Sequence, residues 1–327
     1  MARIVDWEAH IGRRLKLRDL YVFFIVIQSG SLARAAARLR VSQPAVSQLI
    51  ADLEHVVGAR LFDRTSRGVS PTIYGQALLE RGRAAFDELK EAMRHIEFLS
   101  DPAAGEVKIG CQEAIAAILP PVVEDFCLRY PNIMLGFDEE AVDRFASKLR
   151  DRTLDFVLQH LRVPPHGGDP YFDGLHVEVL FNDQLVVAAG AHSKWTRRRK
   201  LDLAELADEP WILATPDSWN NRILTQAFRK CGLPLPKMNV RTFSTHLRSS
   251  LLGSGRFIAT FPRSVVDFYA HRFGLKVLPI ELPAEPWPVA MLTLKNRSPS
   301  PVARLFMDHL RKSIAHPTRS AANDLAR

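Results

Sequence analysis

The stretch from Ser31 to Glu54, SLARAAARLRVSQPAVSQLIADLE, restricts what this chain can become more than any other. Ser31 is a good helix N-cap, and Leu32, Ala35, Ala36 and Leu39 follow at helical spacing, which predicts a short helix to about Arg40. Ser42 is a second N-cap. Pro44 then falls in a first helical turn, where its missing amide loses no intrahelical bond. Val46, Leu49, Ile50, Leu53 and Val57 share one face of this second helix, and Gly58 supplies a left-handed stop. The other face offers Gln43, Ser47, Gln48 and Asp52 near the helix N-terminus, from which amides and hydroxyls reach base edges in a major groove. The pair reads as a helix-turn-helix, although two alanine-rich helices also suit a plain bundle.

The residues just after Gly58 favour the first reading. In ARLFDRTSRGVSPTIYG, Leu61 and Phe62 are placed to pack while Arg64, Arg67 and Gly68 fit an exposed hairpin, a wing whose cations would lie along a phosphate backbone. The net charge is +8, and residues 1–75 hold eleven Lys or Arg against six Asp or Glu, so the basic character is concentrated in this part. Upstream, Leu17, Leu20, Phe23, Phe24 and Ile27 recur at helical spacing and give a supporting helix that Ser29 and Gly30 end. Residues 1–16 form an extension in which Ile4, Trp7 and Ile11 make one stripe.

Thr72 to Ser100 lacks proline and has only Gly75 and Gly82 as glycines, and Leu78, Ala85, Ala92 and Leu99 repeat every seven beside Leu89 and Ile96. A linker helix with a seam for a second copy is expected; a two-fold pair would set two reading heads about 34 to 36 Å apart. After Asp101, Pro102 and Gly105 the pattern alternates. VKIG, MLGFDEE and LDFVLQH read as strands, with helices from about Ala114 to Tyr130 and over DRFASKLRDR. VEVLF and QLVVAAG lead into a second α/β lobe, and LKVLPI and VAMLTL are strands able to return to either lobe. The expected division is a winged helix-turn-helix domain over 1–72, a linker helix over 73–100, a two-lobed α/β domain over 101–316 with its second lobe at about 163–264, and a tail over 317–327.

AARLRVSQPAVSQLIADLE, GARLFDRTSRGVSPTIYG and the helix after them resemble the LysR-type transcriptional regulators, and the likeness extends over nearly the whole chain. It implies an all-α winged helix-turn-helix joined to a two-lobed α/β effector domain with the fold of periplasmic solute-binding proteins. It also implies double-stranded DNA and a small-molecule effector as partners, and a homodimer or a dimer of dimers. The DNA-facing set would be Arg34, Ser42, Gln43, Pro44, Ser47 and Gln48, with Arg64 and Arg67 on the wing. Family members often carry glutamine at Leu49 and basic residues near Ala51 or Asp52, so the docking mode transfers but base preference does not.

Open α/β sheets bind ligands beyond the carboxyl ends of their strands. That rule selects Cys111, Gln112 and Glu113 after VKIG, Gln159 and His160 after LDFVL, and Ser218, Trp219, Asn220 and Asn221 from the second lobe, with Ser244, Thr245 and His246 matching a cleft-lining stretch of the family. These loops supply amides, hydroxyls and an aromatic face but few cations, and Glu113 repels a second carboxylate, so a sugar or polyol is the expected effector. Arg222 and His246 are the exceptions, and Arg222 turning into the cleft would hold a carboxylate and reverse that expectation.

Three cysteines, Cys111, Cys127 and Cys231, are too few for a disulfide framework or a paired-cysteine zinc site. The alternative function they allow is thiol-based redox sensing through Cys111 or Cys231. The eleven histidines show no ligand spacing, and no phosphate loop or nucleophile elbow is present, so neither a cofactor, a metal nor an enzyme is expected. No apolar run approaches the roughly 20 residues of a membrane helix, and the charged start lacks a secretory core, which places the protein in the cytoplasm.

Overall fold

The computed structural model describes residues 14–65, 68–101, 104–140, 142–161, 169–215, 218–295 and 297–315. They divide into two compact units near residue 92. The expected tail over 317–327 and the stripe Ile4, Trp7 and Ile11 lie outside the described residues.

In the first unit, α1 (Leu17–Ser29), α2 (Leu32–Leu39) and α3 (Gln43–Val57) form a three-helix core. Phe23 and Val26 pack with Ala35, Ala36, Val46, Ile50 and Leu53, the alanines letting α2 approach closely. The turn between α2 and α3 uses Arg40 in the left-handed region (φ 55°), an uncommon conformation for a residue with a side chain, and α3 ends on Gly58 at φ 74°. The wing strands β1 (Phe62–Thr65) and β2 (Gly68–Pro71) pair antiparallel, with Arg64 opposite Val69. Their root is held by Glu54, whose carboxylate accepts the Leu61 and Phe62 N–H groups at 2.7 and 3.2 Å. The same helix that carries the outward-facing polar residues therefore fixes where the wing begins.

Helix α4 runs from Ile73 to Ser100. Gly82, a weak point by propensity, has a packing reason: a Cβ there would lie 2.8 Å from the Phe24 ring, which also meets Phe86 edge-on at 5.3 Å. Leu78 does not belong to a free seam as expected, because it packs on the three-helix core. Farther along, Leu89, Met93, Ile96 and Leu99 form an exposed apolar stripe with Leu99 at 70% exposure.

The second unit holds two five-stranded sheets. In the first, β4 (Asn132–Glu139), β3 (Ala104–Cys111) and β5 (Phe156–His160) run parallel, and β12 (Trp287–Leu294) and β6 (Leu175–Asp183) complete the order β4-β3-β5-β12-β6, with β12 antiparallel to its neighbours. In the second, β7 (Leu185–Gly190), β8 (Trp211–Leu213), β9 (Met238–Arg241), β10 (Ile258–Pro262) and β11 (Leu275–Val277) take the order β11-β7-β10-β8-β9. The second lobe is thus not 163–264. Its sheet spans 185–277, because β6 pairs along its length with β12 and so stays in the first lobe, and β11 pairs with β7. The chain crosses between lobes at Asp183–Leu185 and returns between Val277 and Trp287.

Helices cover both sheets. The first lobe has α5 (Glu113–Ala116), α6 (Pro120–Arg129), α7 (Val142–Arg150) and the carboxyl-terminal helix. The single helix expected from Ala114 to Tyr130 is two, since Pro120 and Pro121 start a new one rather than continue the old. The second lobe has α8 (Trp219–Lys230), α9 (Thr245–Gly253) and α10 (Arg263–Phe273); the carboxyl-terminal helix, α11 (Pro301–Ala315), packs Phe306 on Phe126 in the first-lobe core.

Candidate functional site

On α3, packing decides which residues are presented. Val46, Ile50 and Leu53 are buried, and this rotation leaves Gln43, Pro44 and Gln48 exposed and Ser47 half-buried at the start of the helix. Ser42 Oγ accepts the Ala45 N–H at 3.3 Å, so its first task is to cap the helix. Gln48 Nε2 donates to Asp52 Oδ1 at 2.8 Å, which ties one amide of this face to a carboxylate one turn on. Arg34 is exposed on α2. Arg67 and the side chain of Arg64 lie outside the described residues. The surface offers hydrogen-bonding groups at a helix N-terminus with a two-stranded wing following in sequence, an arrangement suited to groove and backbone contacts on a duplex.

The second candidate site is where the lobes meet, at the carboxyl ends of β3 and β5. One expected residue is excluded. Cys111 is 0% exposed in the first-lobe core; burial, reinforced by the Glu139 carboxylate, pushes its thiol far up, so it neither lines the cleft nor provides a thiolate. Strand alternation turned this side chain into the core. Cys231 is exposed at the end of α8.

Gln112 and His160 are joined. Gln112 Oε1 accepts the His160 backbone N–H at 3.1 Å and faces its Nδ1 at 3.1 Å, while His160 Nε2 lies 3.5 Å from Asp183 Oδ2. Burial holds the imidazole below the ordinary histidine range against the opposing pull of Asp183. Burial acts to raise Asp183, but bonds from His160, the Ser264 hydroxyl at 2.5 Å and the backbone N–H groups of Gln184 and Ser264 outweigh it and hold the carboxyl low. Asp183 therefore sits on the lobe crossing and ties β5 to the start of α10.

An aromatic column continues from His160. Its ring stacks on Trp287 at 3.9 Å, and Trp287 stacks on Trp219 at 4.2 Å, so the column passes from the first lobe to the first residue of α8 in the second. One face of the Trp219 indole is thus covered by Trp287. Ser218 Oγ accepts the Asn221 N–H at 3.2 Å as the cap of α8 and donates to the Thr215 carbonyl at 2.7 Å; Asn220 is half-buried beside it. Gln159 is buried and accepts from Tyr171 Oη at 2.6 Å, and Val142, Asp143, Gln159, His160, Tyr171 and Phe172 line a first-lobe cavity of about 240 Å³.

The third crossing is a hydrogen bond to a carboxylate. Glu113 Oε1 accepts the Thr245 N–H at the start of α9 at 2.7 Å, across 132 residues of sequence. Ala114 and Ile118 pack against the second-lobe core and keep this loop there. One turn into α9, Arg248 is 4% exposed, donates to the Thr260 carbonyl at 3.0 Å and lies 4.4 Å over the Phe261 ring. Burial pushes its guanidinium down to about 10, and Glu113 is the charge that opposes this, so it stays cationic near neutrality. Arg222, expected as the possible cleft cation, is exposed, and His246 turns to the exposed side of α9 with its ring edge-on to Phe273.

Sequence reasoning missed Arg248, Trp287, Asp183 and Tyr171. For Arg248 a signal existed: it follows Thr245 by three residues in a helix, so the two share a face. No spacing rule pointed to Trp287, because strand pairing alone brings it beside His160. The described residues contain no cluster of metal-ligating side chains, and no described helix is long and apolar enough to cross a membrane.

Comparison with known proteins agrees with both halves. Residues 17–76 match the family described as bacterial regulatory helix-turn-helix protein, lysR family, and residues 100–315 match the LysR substrate binding domain. The HTH-type transcriptional regulator GbpR of Azospirillum brasilense is 28% identical over 321 residues, 95% of this chain and 93% of that protein. TdcA of Escherichia coli strain K12, also named as an HTH-type transcriptional regulator, is 29% identical over 248 residues, 76% of this chain and 77% of its own. Among solved structures, a full-length OxyR variant from Pseudomonas aeruginosa, 22% identical, covers 92% of this chain and 94% of its own with a TM-score of 0.58, a likeness of fold. With the substrate-binding match alone covering well over half of the residues, this chain belongs to the LysR family: it is a LysR-type DNA-binding transcription regulator with a substrate-binding domain.

Proposed function

We propose that residues 1–72 read an operator, 73–100 pair two copies, and 101–316 sense a small molecule held between the two lobes. Gln43, Ser47 and Gln48 contact base edges, and Arg34, Ser42, Pro44, Arg64 and Arg67 lie along the backbone. The stripe Leu89, Met93, Ile96 and Leu99 is the pairing seam, and two pairs assemble as a dimer of dimers on DNA. The function is regulated binding, in the cytoplasm, without catalysis.

The observation that carries the sensing part is that the lobes touch through polar and aromatic side chains at their strand ends, Glu113 to Thr245 and Trp287 to Trp219. A ligand entering there must exchange those contacts for its own, which changes the spacing of the lobes. An effector that prefers one arrangement by about 1 to 3 kcal/mol shifts DNA affinity by about 5- to 150-fold. Gln112, Glu113, Gln159, His160, Ser218, Trp219, Asn220 and Thr245 are the residues assigned to it. Their amides, hydroxyls and indole favour a neutral polyhydroxy ligand, a sugar or polyol.

The test is a footprint of the full-length protein on DNA upstream of its own gene, with and without a panel of sugars, with and without peroxide, and repeated for Leu89→Asp. A two-fold protected site that contracts to a half-site in the soluble variant supports the assignment. A peroxide response without any sugar response would transfer the sensing role to thiol chemistry at Cys231, and an unchanged footprint for Leu89→Asp would move the seam elsewhere.

A further inference from the structure

Helix α9 begins at a lobe boundary, has nine residues and is capped by Ser244, whose Oγ accepts the Leu247 N–H at 3.2 Å; the Thr245 N–H is left for a group from outside the helix, on the face that carries the buried guanidinium of Arg248. Helix N-termini attract anions through unpaired N–H groups and the helix dipole, and a cation one turn inside strengthens that attraction. This site is built for an acceptor. Arg248 Nε is buried without a hydrogen-bond partner, and so are the hydroxyls of Thr245, 2% exposed, and Ser249, fully buried. Buried donors left unpaired are costly, so such a cluster is shaped around a group that brings oxygen atoms.

The chain supplies part of that group itself. Glu113 is carried by the first lobe, yet its carboxylate accepts the first N–H of α9 in the second. We propose that Glu113 is a specificity-determining residue: it occupies, from within the chain, the anion site made by the N-terminus of α9 and Arg248, so the cleft admits neutral polyhydroxy ligands and rejects carboxylates at this position. A ligand carboxylate would have to displace a tethered one that pays little entropy to stay, or share the site with a like charge. A ligand hydroxyl meets no such rival. It donates to the Glu113 carboxylate with no like charge to oppose it. The consequence for effector class rests on the reading that the cleft holds the effector; the anion site does not, and can be tested without any effector.

The experiment is chemical rescue. Full-length Glu113→Ala is titrated with sodium acetate against sodium chloride at equal ionic strength, and thermal unfolding and calorimetric heat are recorded. The variant should gain a rise in Tm with acetate that chloride does not give, and a saturable heat of binding, because a ligand that binds only the folded state stabilises it by an amount that grows with the logarithm of its concentration above Kd. The wild-type protein should show no acetate effect beyond that of chloride. Glu113→Ala/Arg248→Met should bind acetate about tenfold or more weakly, the worth of a hydrogen bond to a charged group. Should Glu113→Ala fail to fold, Glu113→Ser opens the same space and is read in the same way. Acetate binding to the wild type as strong as to the variant, or no acetate-specific effect in either variant, would overturn the proposal. Loss of sugar responsiveness with intact acetate rescue would instead count only against the effector reading.

Discussion

The helix-turn-helix surface and the lobe junction of this regulator are built in opposite ways. In the first unit the residues that face outward are set by neighbours three, four and seven positions away on the same helix: Val46, Ile50 and Leu53 go in, so Gln43 and Gln48 go out. In the second, each joint of the cleft links residues far apart in sequence, Glu113 to Thr245, His160 to Trp287, Asp183 to Ser264. A local surface is rigid as soon as its helix packs. A surface assembled from two lobes depends on how the lobes are held, which suits the sensing role proposed for it.

The largest effect that sharpens this contrast is in the core of the head. Phe23 is fully buried against Phe24 and Phe62, and Phe23→Ala should cost about 3 to 5 kcal/mol there. Hydrogen exchange should speed up across α1 to α3 while protection of β3 in the sensing unit stays as it was. Equal acceleration in both units would mean that the head does not stand on its own core.

A smaller effect separates the turn from the core. Ser42→Ala removes the cap of α3 and should cost about 1 kcal/mol. Chemical denaturation followed in the first unit would show this as a lowered midpoint with an unchanged slope; no change would mean that Pro44 and packing define the helix start unaided.

The smallest effect belongs to the cleft, and its sign follows from burial. His160 is held below its usual value of 6.5, so the folded protein keeps it neutral while the unfolded chain takes up a proton as pH falls through that value. Stability should therefore be unaffected by this group above about pH 7 and decline as pH falls below 6.5 toward the folded value. His160→Asn, which keeps a polar group beside Gln112 and Asp183, should remove that part of the acid slope. An unchanged slope in the variant would assign it to other groups.

Legibility from sequence followed the same divide. The three helices, the wing and the outward residues of α3 were readable because caps, proline placement and periodicity all act within a few positions. The α/β alternation was readable too, but the lobe boundary was misplaced, since nothing inside LHVEVLFND says that it pairs with β12 more than a hundred residues later. At the lobe junction the fold brings together Gln112, Glu113 and His160, to which the strand ends pointed, but Cys111, one residue earlier, faces the core. Arg248 was hidden for a related reason: an arginine inside a helix is ordinarily solvated, and only the tertiary fold buries this one against Phe261.

In the function proposed for this chain, the amino-terminal face of α3 reads base sequence. Its most direct test is the ratio of operator to random-sequence affinity for Gln43→Ala and Ser47→Ala, beside Arg67→Ala, in gel-shift titrations across a range of salt. The first two should lose about 1 to 3 kcal/mol of preference with random-sequence binding unchanged, whereas Arg67→Ala should weaken both alike and flatten the salt dependence. Full operator preference retained by both Gln43→Ala and Ser47→Ala would contradict it.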